Sequence, residues 1–342
     1  MNKKVYVGLS GGVDSSVTAL LLQQQGYDLT GVFIKNWSSD IAGWQCPWKD
    51  DYRDAKRVAM QLGIPFKMYD FQTEYKSKVV DYLVAEYSAG RTPNPDIMCN
   101  QEVKFKLFLE TALSDGADMI ATGHYAQIKN DNELHMAVDK TKDQTYFLSR
   151  VSAEALQRTL FPLGGIEKSE VRSIAAEHNL ITAAKKDSVG ICFVGQVGIR
   201  DFLNEFVHTQ PGAIINELGE NIGTHEGALF YTIGQRHGLN LGGGLPYYVT
   251  GKDMDTNEVY VTSDISSKKL WNDQIRLSGM HWIHVTDEPD FMVRTRHLGE
   301  LTSAKLDGEN TLQLQKDIRA LTPGQTAALY QGTQLLGSGI IC

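Results

Sequence analysis

Hydrophobic and polar positions follow two regimes along the chain. In the first half, apolar runs of strand length alternate with stretches of helical period. "KVYVGL" (Lys4 to Leu9) has the pattern of a buried strand. From Asp14 onward Val17, Leu20 and Leu21 fall at helical spacing, and Gly26 supplies a stop. "LTGVFIKN" is a second strand, "DYRDAKRVAMQLG" a helix closed by Gly63, and "IPFKMYDF" a third strand. Helices are predicted near 73–88 and 100–114, and "DMIATGH" makes another strand. Short connections between alternating strands and helices predict a parallel, doubly wound sheet with helices on both faces. Strand ends near Ser10, Asn36 and Gly123 then share one edge, where such sheets take ligands. "RTPNPDIMCN" interrupts the pattern, and its two prolines predict a loop between two helices. A further helix around 167–179 runs into "KKDSVGICFVG".

After about Gln210 the second regime begins. Helical periodicity fades, Gly, Tyr, Val and Thr rise, and turn pairs such as "PG" recur. The expected organisation is a catalytic unit over 1–207, a small β-rich domain over 208–263, and a β-barrel or sandwich over 264–342. Composition adds little: 342 residues, 42% hydrophobic and 22% charged, describe a folded chain of two or three domains. No apolar run approaches about 18 residues, so no membrane partner is expected. The opening "MNKKVYVGLS" lacks a signal-peptide core. Cys46, Cys99, Cys192 and Cys342 have no CxxC spacing, which argues against zinc and a disulfide framework and for a reducing cytoplasm. The net charge of −8 means that any nucleic-acid partner must meet local basic clusters, such as "TAAKK", "SSKK" and "VRTRH".

Chemistry concentrates in "LSGGVDSS" (Leu9 to Ser16), placed where a strand ends and a helix begins. Gly11 and Gly12 let the backbone approach a ligand, and Asp14, Ser15 and Ser16 suit a helix start. The N–H groups and dipole there favour phosphate. The lysine of a Walker loop is missing, so nothing local reaches a γ-phosphate. Asp14 has two readings that can coexist, helix cap and Mg²⁺ ligand. In "NPDIMCN", Asp96 lies three residues before Cys99, close enough to exchange a proton with it. Cys99 is placed just before a helix at Asn100, whose dipole would favour a thiolate. Cys192 lies in a second glycine-flanked segment.

"SGGVDSS" resembles the PP-loop of ATP pyrophosphatases. Together with "GRTPNPDIMCN", "ATGHYA", "KDQTYFL", "KKDSVGICF", "YTIGQRHGL" and "TPGQ", in matching order and spacing, the chain resembles the tRNA-specific 2-thiouridylases nearly end to end. The resemblance implies an α/β fold, a doubly wound PP-loop (adenine nucleotide alpha hydrolase-like) domain, followed by a β-rich domain and a C-terminal β-barrel. It implies ATP and Mg²⁺ as cofactors, with Gly8, Leu9, Ser10, Gly11, Gly12, Val13, Asp14 and Ser15 on the phosphates. Ile34 and Gly123 would lie on the adenosine side. ATP would adenylate the C2 oxygen of the wobble uridine in tRNA, with glutamate, lysine and glutamine tRNAs as expected acceptors.

Cys192 would carry a persulfide received from a cysteine desulfurase or a relay protein. Cys99 would be the nucleophile toward it, freeing hydrosulfide or closing a Cys99–Cys192 disulfide as sulfur leaves. Asp96 would be the general acid/base, and Asn94, Pro95 and Asp96 would meet the flipped base. His124, Lys142, Asp143, Gln144, Arg296, His297 and Gln325 match positions of tRNA contact or base placement. Val189 stands where the family pattern has threonine, and "LPYYV" where "PWYV" is common. Cys46 and Cys342 receive no role. Two other readings are an amide-forming synthetase with a nitrogen nucleophile, which lacks a glutaminase domain here, and a non-catalytic nucleotide sensor with a cysteine switch. The second would not need the long β-rich portion.

Overall fold

The computed structural model describes residues 2–40, 45–130, 132–187, 198–242, 244, 246–308 and 310–342. Five parallel strands form the first sheet: β1 (Lys4–Gly8), β2 (Asp28–Lys35), β3 (Phe66–Asp70), β4 (Met119–Ala121) and β7 (Thr159–Leu160), in the order β3-β2-β1-β4-β7. Between them along the chain come β5 (Ala126–Lys129) and β6 (Glu133–Met136), which belong elsewhere. The side-chain period of two divides the strands between two cores. Val5, Val7, Leu29 and Phe33 pack with α1 (Val13–Gln24) and α2 (Trp48–Leu62), whereas Tyr6, Val32 and Ile34 turn to the opposite face. That face is covered by two long helices, α3 over 72–88 and α4 over 95–114, each containing a stretch of wide π-helical turns, Lys76–Val80 and Cys99–Leu107. The doubly wound sheet expected from the alternation is present.

The start of α4 differs from the sequence expectation. "RTPNPDIMCN" is a loop only as far as Asn94, and Pro95 is the first helical residue. Proline suits this position because its missing N–H is one that the helix leaves unpaired. The Asn94 side chain caps the helix, accepting from the backbone N–H groups of Asp96 and Ile97 at 3.1 and 3.3 Å. Cys99 therefore lies inside the helix, and it is buried.

The second sheet holds β8 (Gly212–Ile215), β9 (Asn221–His225), β10 (Tyr248–Asp253) and β11 (Glu258–Thr262), in the order β10-β11-β8-β9. The third closes on itself: β12 (Trp271–Trp282), β15 (Thr311–Arg319), β14 (Thr302–Asp307), β13 (Asp290–Arg294), β16 (Thr326–Gln331) and β17 (Gln334–Ile341) form an antiparallel six-stranded barrel through the β12–β17 pairing. Alternate residues such as Ile275 and Leu277, Val293, Leu312 and Leu314 fill it. The opposite sides of β16 and β17 are buried too, because Ala328, Tyr330 and Leu335 join the core that contains α4. The β5–β6 hairpin, which the strand pattern did not reveal, adds to β17 through Leu335–Leu134 and Gln334–His135. Among the described residues, no helix is long and apolar enough to cross a membrane.

Candidate active site

The chain leaves β1 for β2 on one side and returns through β4 on the other, so the order of strands reverses beside β1. The crevice at that reversal is the ligand position of open α/β sheets. Gly8 ends β1, and Leu9 to Gly12 carry the chain into α1. Gly11 takes φ +77°, and a Cβ there would stand 2.4 Å from the Asp51 carbonyl oxygen, so the loop is pressed against the start of α2. The cap of α1 is Gly12, which offers no side chain. Ser15 and Ser16 fold back on the Gly12 carbonyl with hydroxyls at 3.1 and 2.8 Å, and Ser15 Oγ also accepts from the Ser10 N–H at 3.2 Å. These bonds set the loop and leave the first-turn N–H groups of α1, starting at Val13, without intrahelical acceptors. That is the condition for holding an anion.

Asp14 is the second residue of α1, and its carboxylate is not a cap. It accepts from Tyr125 Oη at 2.8 Å and from Lys168 Nζ at 2.7 and 2.8 Å. Lys168 also lies 2.9 Å from Asp187, which gathers Lys142 at 3.1 Å and the Arg172 guanidinium. Burial works against the charge on Asp187, but the hydrogen bonds from Lys168 and Lys142 outweigh it and hold its carboxyl down at about 2. On the other flank Lys185 bridges Asp51 and Asp54 at 2.9 and 2.7 Å. The "TAAKK" cluster thus commits Lys185 to carboxylates beside the loop. The sequence reading missed Lys168, for which no local signal exists: it lies far along the chain, at the start of α5 (Lys168–Glu177).

Gly123 follows β4 and abuts α1, where a Cβ would stand 3.0 Å from the Asp14 carbonyl carbon and the Ser15 nitrogen. Asn36, just beyond β2, keeps a buried Oδ1 without a hydrogen-bond partner among the described residues. His124 hydrogen-bonds Thr122 Oγ1 at 2.7 Å and packs its ring between Phe105 and Phe161. Burial, then the nearby Lys104 charge, pushes its proton affinity well below the ordinary histidine value, so the ring is neutral.

Cys99 and Asp96 lie one turn apart on α4, and Cys99 shares its buried cluster with Val32 and the flanking Ile34. Burial raises the Asp96 carboxyl above its ordinary value, against the opposing pull of Lys104. The loop before α4 is clamped from two sides. The Thr92 N–H donates to the Pro323 carbonyl at 2.8 Å, and Gln325 Nε2 donates to the Thr92 carbonyl at 2.7 Å. Thr92 Oγ1 also meets Thr232 Oγ1 at 3.2 Å. The segments "RTPNPD", "YTIGQ" and "TPGQ", distant in sequence, therefore meet at one point.

The "KDQTYFL" segment divides its work. Lys142 belongs to the Asp187 cluster, and Gln144 Oε1 accepts from the Tyr125 N–H at 3.0 Å. Asp143 is buried, pairs with Arg294 of the barrel at 2.8 Å, and accepts from Thr145 Oγ1 at 3.0 and 2.9 Å. Its carboxylate is committed to joining two domains. Of "VRTRH", Arg294 is thus internal, whereas Arg296 is exposed on a cleft of about 580 Å³ between the second sheet and the barrel, which Gln325 also lines. His297 stacks 4.3 Å from Phe147, with its Nδ1 buried and unpartnered among the described residues. Cys192 and Val189 lie outside the described residues. Beyond them, Ile199 and Phe202 of α6 (Ile199–Asn204) pack into the cluster that holds Cys99.

A parallel sheet with a glycine loop at its switch point, a helix on one face of that sheet carrying a carboxyl and a thiol, and a β-barrel clamped onto that helix define a multidomain α/β enzyme of the nucleotide-binding PP-loop class. Family profiles agree along the chain: "tRNA methyl transferase HUP domain" matches residues 3–196, "tRNA methyl transferase PRC-barrel domain" 200–263, and "Aminomethyltransferase beta-barrel domain" 272–341. The tRNA-specific 2-thiouridylase MnmA of Enterococcus faecalis is 46% identical, covering 99% of this chain and 95% of that protein. The proteins of that name from Shouchella clausii and Streptococcus sanguinis are also 46% identical, each covering 99% of this chain, with 96% and 95% of their own length matched. The chain belongs to the tRNA-specific 2-thiouridylase family.

Proposed function

We propose that this protein converts the wobble uridine of glutamate, lysine and glutamine tRNAs to 2-thiouridine, using ATP and a cysteine persulfide. The observation that carries the reading is the placement of Asp96 and Cys99 one turn apart on a helix that packs, with Ile34, against the face of the sheet whose edge holds the glycine loop. The units taking part are 1–207, 208–263 and 264–342.

The residues present fit a nucleotide. The first-turn N–H groups of α1 and the Gly11 cradle suit phosphate oxygens. Asn36 Oδ1 offers an acceptor to the adenine amino group, with Ile34 and Gly123 as apolar and close-packed walls. A magnesium ion fits Asp14 as an oxygen donor. Among the described residues no group of three or more His, Cys, Asp or Glu side chains can hold a metal, so Mg²⁺ would share Asp14 with phosphates, its usual habit. Bound there, it supplies charge neutralisation at the phosphates.

The C2 oxygen of uracil attacks the α-phosphorus and expels pyrophosphate, which turns a poor electrophile into one with AMP as leaving group. Asp96, whose proton affinity burial raises above the ordinary carboxylate value, moves the proton at the base. Sulfur arrives on Cys192 from a cysteine desulfurase or relay protein. Cys99 attacks the Cys192 sulfur, either releasing hydrosulfide that adds to C2 or closing the disulfide after the persulfide sulfur has added. In both routes one Cys99–Cys192 disulfide forms per turnover, and a cellular thiol must reduce it. Arg296, His297, His124, Lys142 and Gln325 serve the tRNA, directly or by fixing the loop at Asn94 and Pro95.

Nucleoside mass analysis tests the reading. Unmodified glutamate, lysine and glutamine tRNAs are incubated with the protein, Mg-ATP, a cysteine desulfurase and cysteine. One sulfur-for-oxygen exchange at the wobble uridine is expected, and both Cys99→Ser and Cys192→Ser should abolish it while tRNA-dependent pyrophosphate release continues. Thiolation that survives either substitution would overturn the assignment of that thiol. Pyrophosphate release without thiolation by the unmodified protein would return the choice of nucleophile to the nitrogen reading.

A further inference from the structure

The glycine loop lacks the lysine that a Walker loop aims at the terminal phosphates, yet a lysine from elsewhere stands beside it. Lys168 Nζ lies 2.7 and 2.8 Å from the two oxygens of Asp14 and 2.9 Å from Asp187, with only 13% of its side chain exposed. Because Asp14 is the second residue of α1, this ammonium sits within side-chain reach of any anion held by the first-turn N–H groups.

The charges around it are shared among several partners. Among the described residues Lys168, Lys142 and Arg172 pair with Asp14 and Asp187, and Asp139 adds a third carboxylate, which accepts from the Lys168 backbone N–H at 3.1 Å. Lys185 on the other flank is held by two carboxylates, Asp51 and Asp54. Asp14, in turn, cannot serve both an ammonium and a divalent cation with the same lone pairs. An ammonium that gives up Asp14 when nucleotide and metal arrive keeps Asp187 as one partner and has donors free for a phosphate oxygen.

We propose that Lys168 is a phosphate ligand of this site. In the nucleotide-free protein it rests on Asp14 and Asp187. When ATP binds, it moves to oxygens of the β- and γ-phosphates and leaves Asp14 to the cation. Pyrophosphate then departs with Lys168 as its counter-charge, and the site prefers ATP and pyrophosphate over AMP. The inference rests on the ATP reading above and names a residue for it.

Calorimetric titration of ATP, pyrophosphate and AMP into the full chain with chelator present tests it, using the unmodified protein, Lys168→Met, Lys168→Arg and Asp14→Asn. Lys168→Met should weaken ATP and pyrophosphate by about 10- to 100-fold and leave AMP unchanged, the loss of one charge-assisted bond. Lys168→Arg should restore most of the affinity. Asp14→Asn, which releases the ammonium, should tighten metal-free ATP. Unchanged ATP affinity in Lys168→Met, or equal losses for ATP and AMP, would overturn the proposal. So would Asp14→Asn weakening metal-free ATP as Lys168→Met does, since a purely structural ion pair predicts that symmetry. If Lys168→Met does not fold, Asp14→Asn still decides: tighter metal-free ATP supports the proposal, and weaker or unchanged ATP overturns it. An unmodified protein that binds neither ATP nor AMP would instead sink the ATP reading itself.

Discussion

The Asp96 carboxyl carries a consequence that stability measurements can reach. Its proton affinity is raised by burial, so between its ordinary and its raised value the native state holds a proton that the unfolded chain has released. By linkage, that group's contribution to stability is full below the ordinary carboxylate range and is lost as pH rises through the raised value. Asp96→Asn removes the dependence. Thermal unfolding of both proteins from pH 4 to 8 should show the variant gaining on the unmodified protein as pH rises. A difference that is flat across that range would mean that Asp96 does not carry a raised proton affinity. The spacing of Asp96 and Cys99 was legible in the sequence, but the burial that tunes Asp96 depends on the packing of α4.

At the scale of elements, α4 depends on how it begins. Asn94 caps it and Pro95 opens it, and together they aim Asp96 and Cys99 from the first two turns. Asn94→Ala should cost about 1 kcal/mol in urea unfolding and Asn94→Asp should recover most of it, the ordinary worth of a cap. Thiolation should fall as well, because the loop proposed to meet the base shifts with the cap. Equal recovery of stability and activity by Asn94→Asp is the expected pattern. Recovery of stability without activity would mean that the amide itself touches the substrate. Two prolines in six residues read locally as a loop, and only the position of Pro95 at the first helical residue reconciles them with a helix.

For the whole molecule, the joint at Thr92 is where a loop of the barrel and the connection between β9 and β10 meet the loop that leads into α4. Gln325 is the barrel's donor to that joint. Gln325→Ala should leave ATP affinity unchanged, since its side-chain hydrogen bonds go to Thr92 and Pro93 and not to the phosphate loop, and should lower tRNA-dependent pyrophosphate release roughly five- to tenfold, the worth of one lost hydrogen bond. Loss of ATP binding in that variant would show that the barrel supports the nucleotide site and not the tRNA step. The Asp143–Arg294 pair fastens the same two domains from within. This explains why "KDQTYFL" and "VRTRH" belong together although 151 positions separate the paired residues.

The order of strands and helices, the glycine loop and its class of ligand, and the Asp96–Cys99 spacing were all determined by local pattern. Each depends on residues within one or two turns of one another, and periodicity and turn chemistry act at that range. The start of α4, the β5–β6 hairpin on the barrel, the burial of Asp143, and the arrival of Lys168 at Asp14 were decided only by tertiary structure. These features depend on which distant surfaces come into contact, and burial then determines whether a charge is a ligand, a tether or a tuned acid.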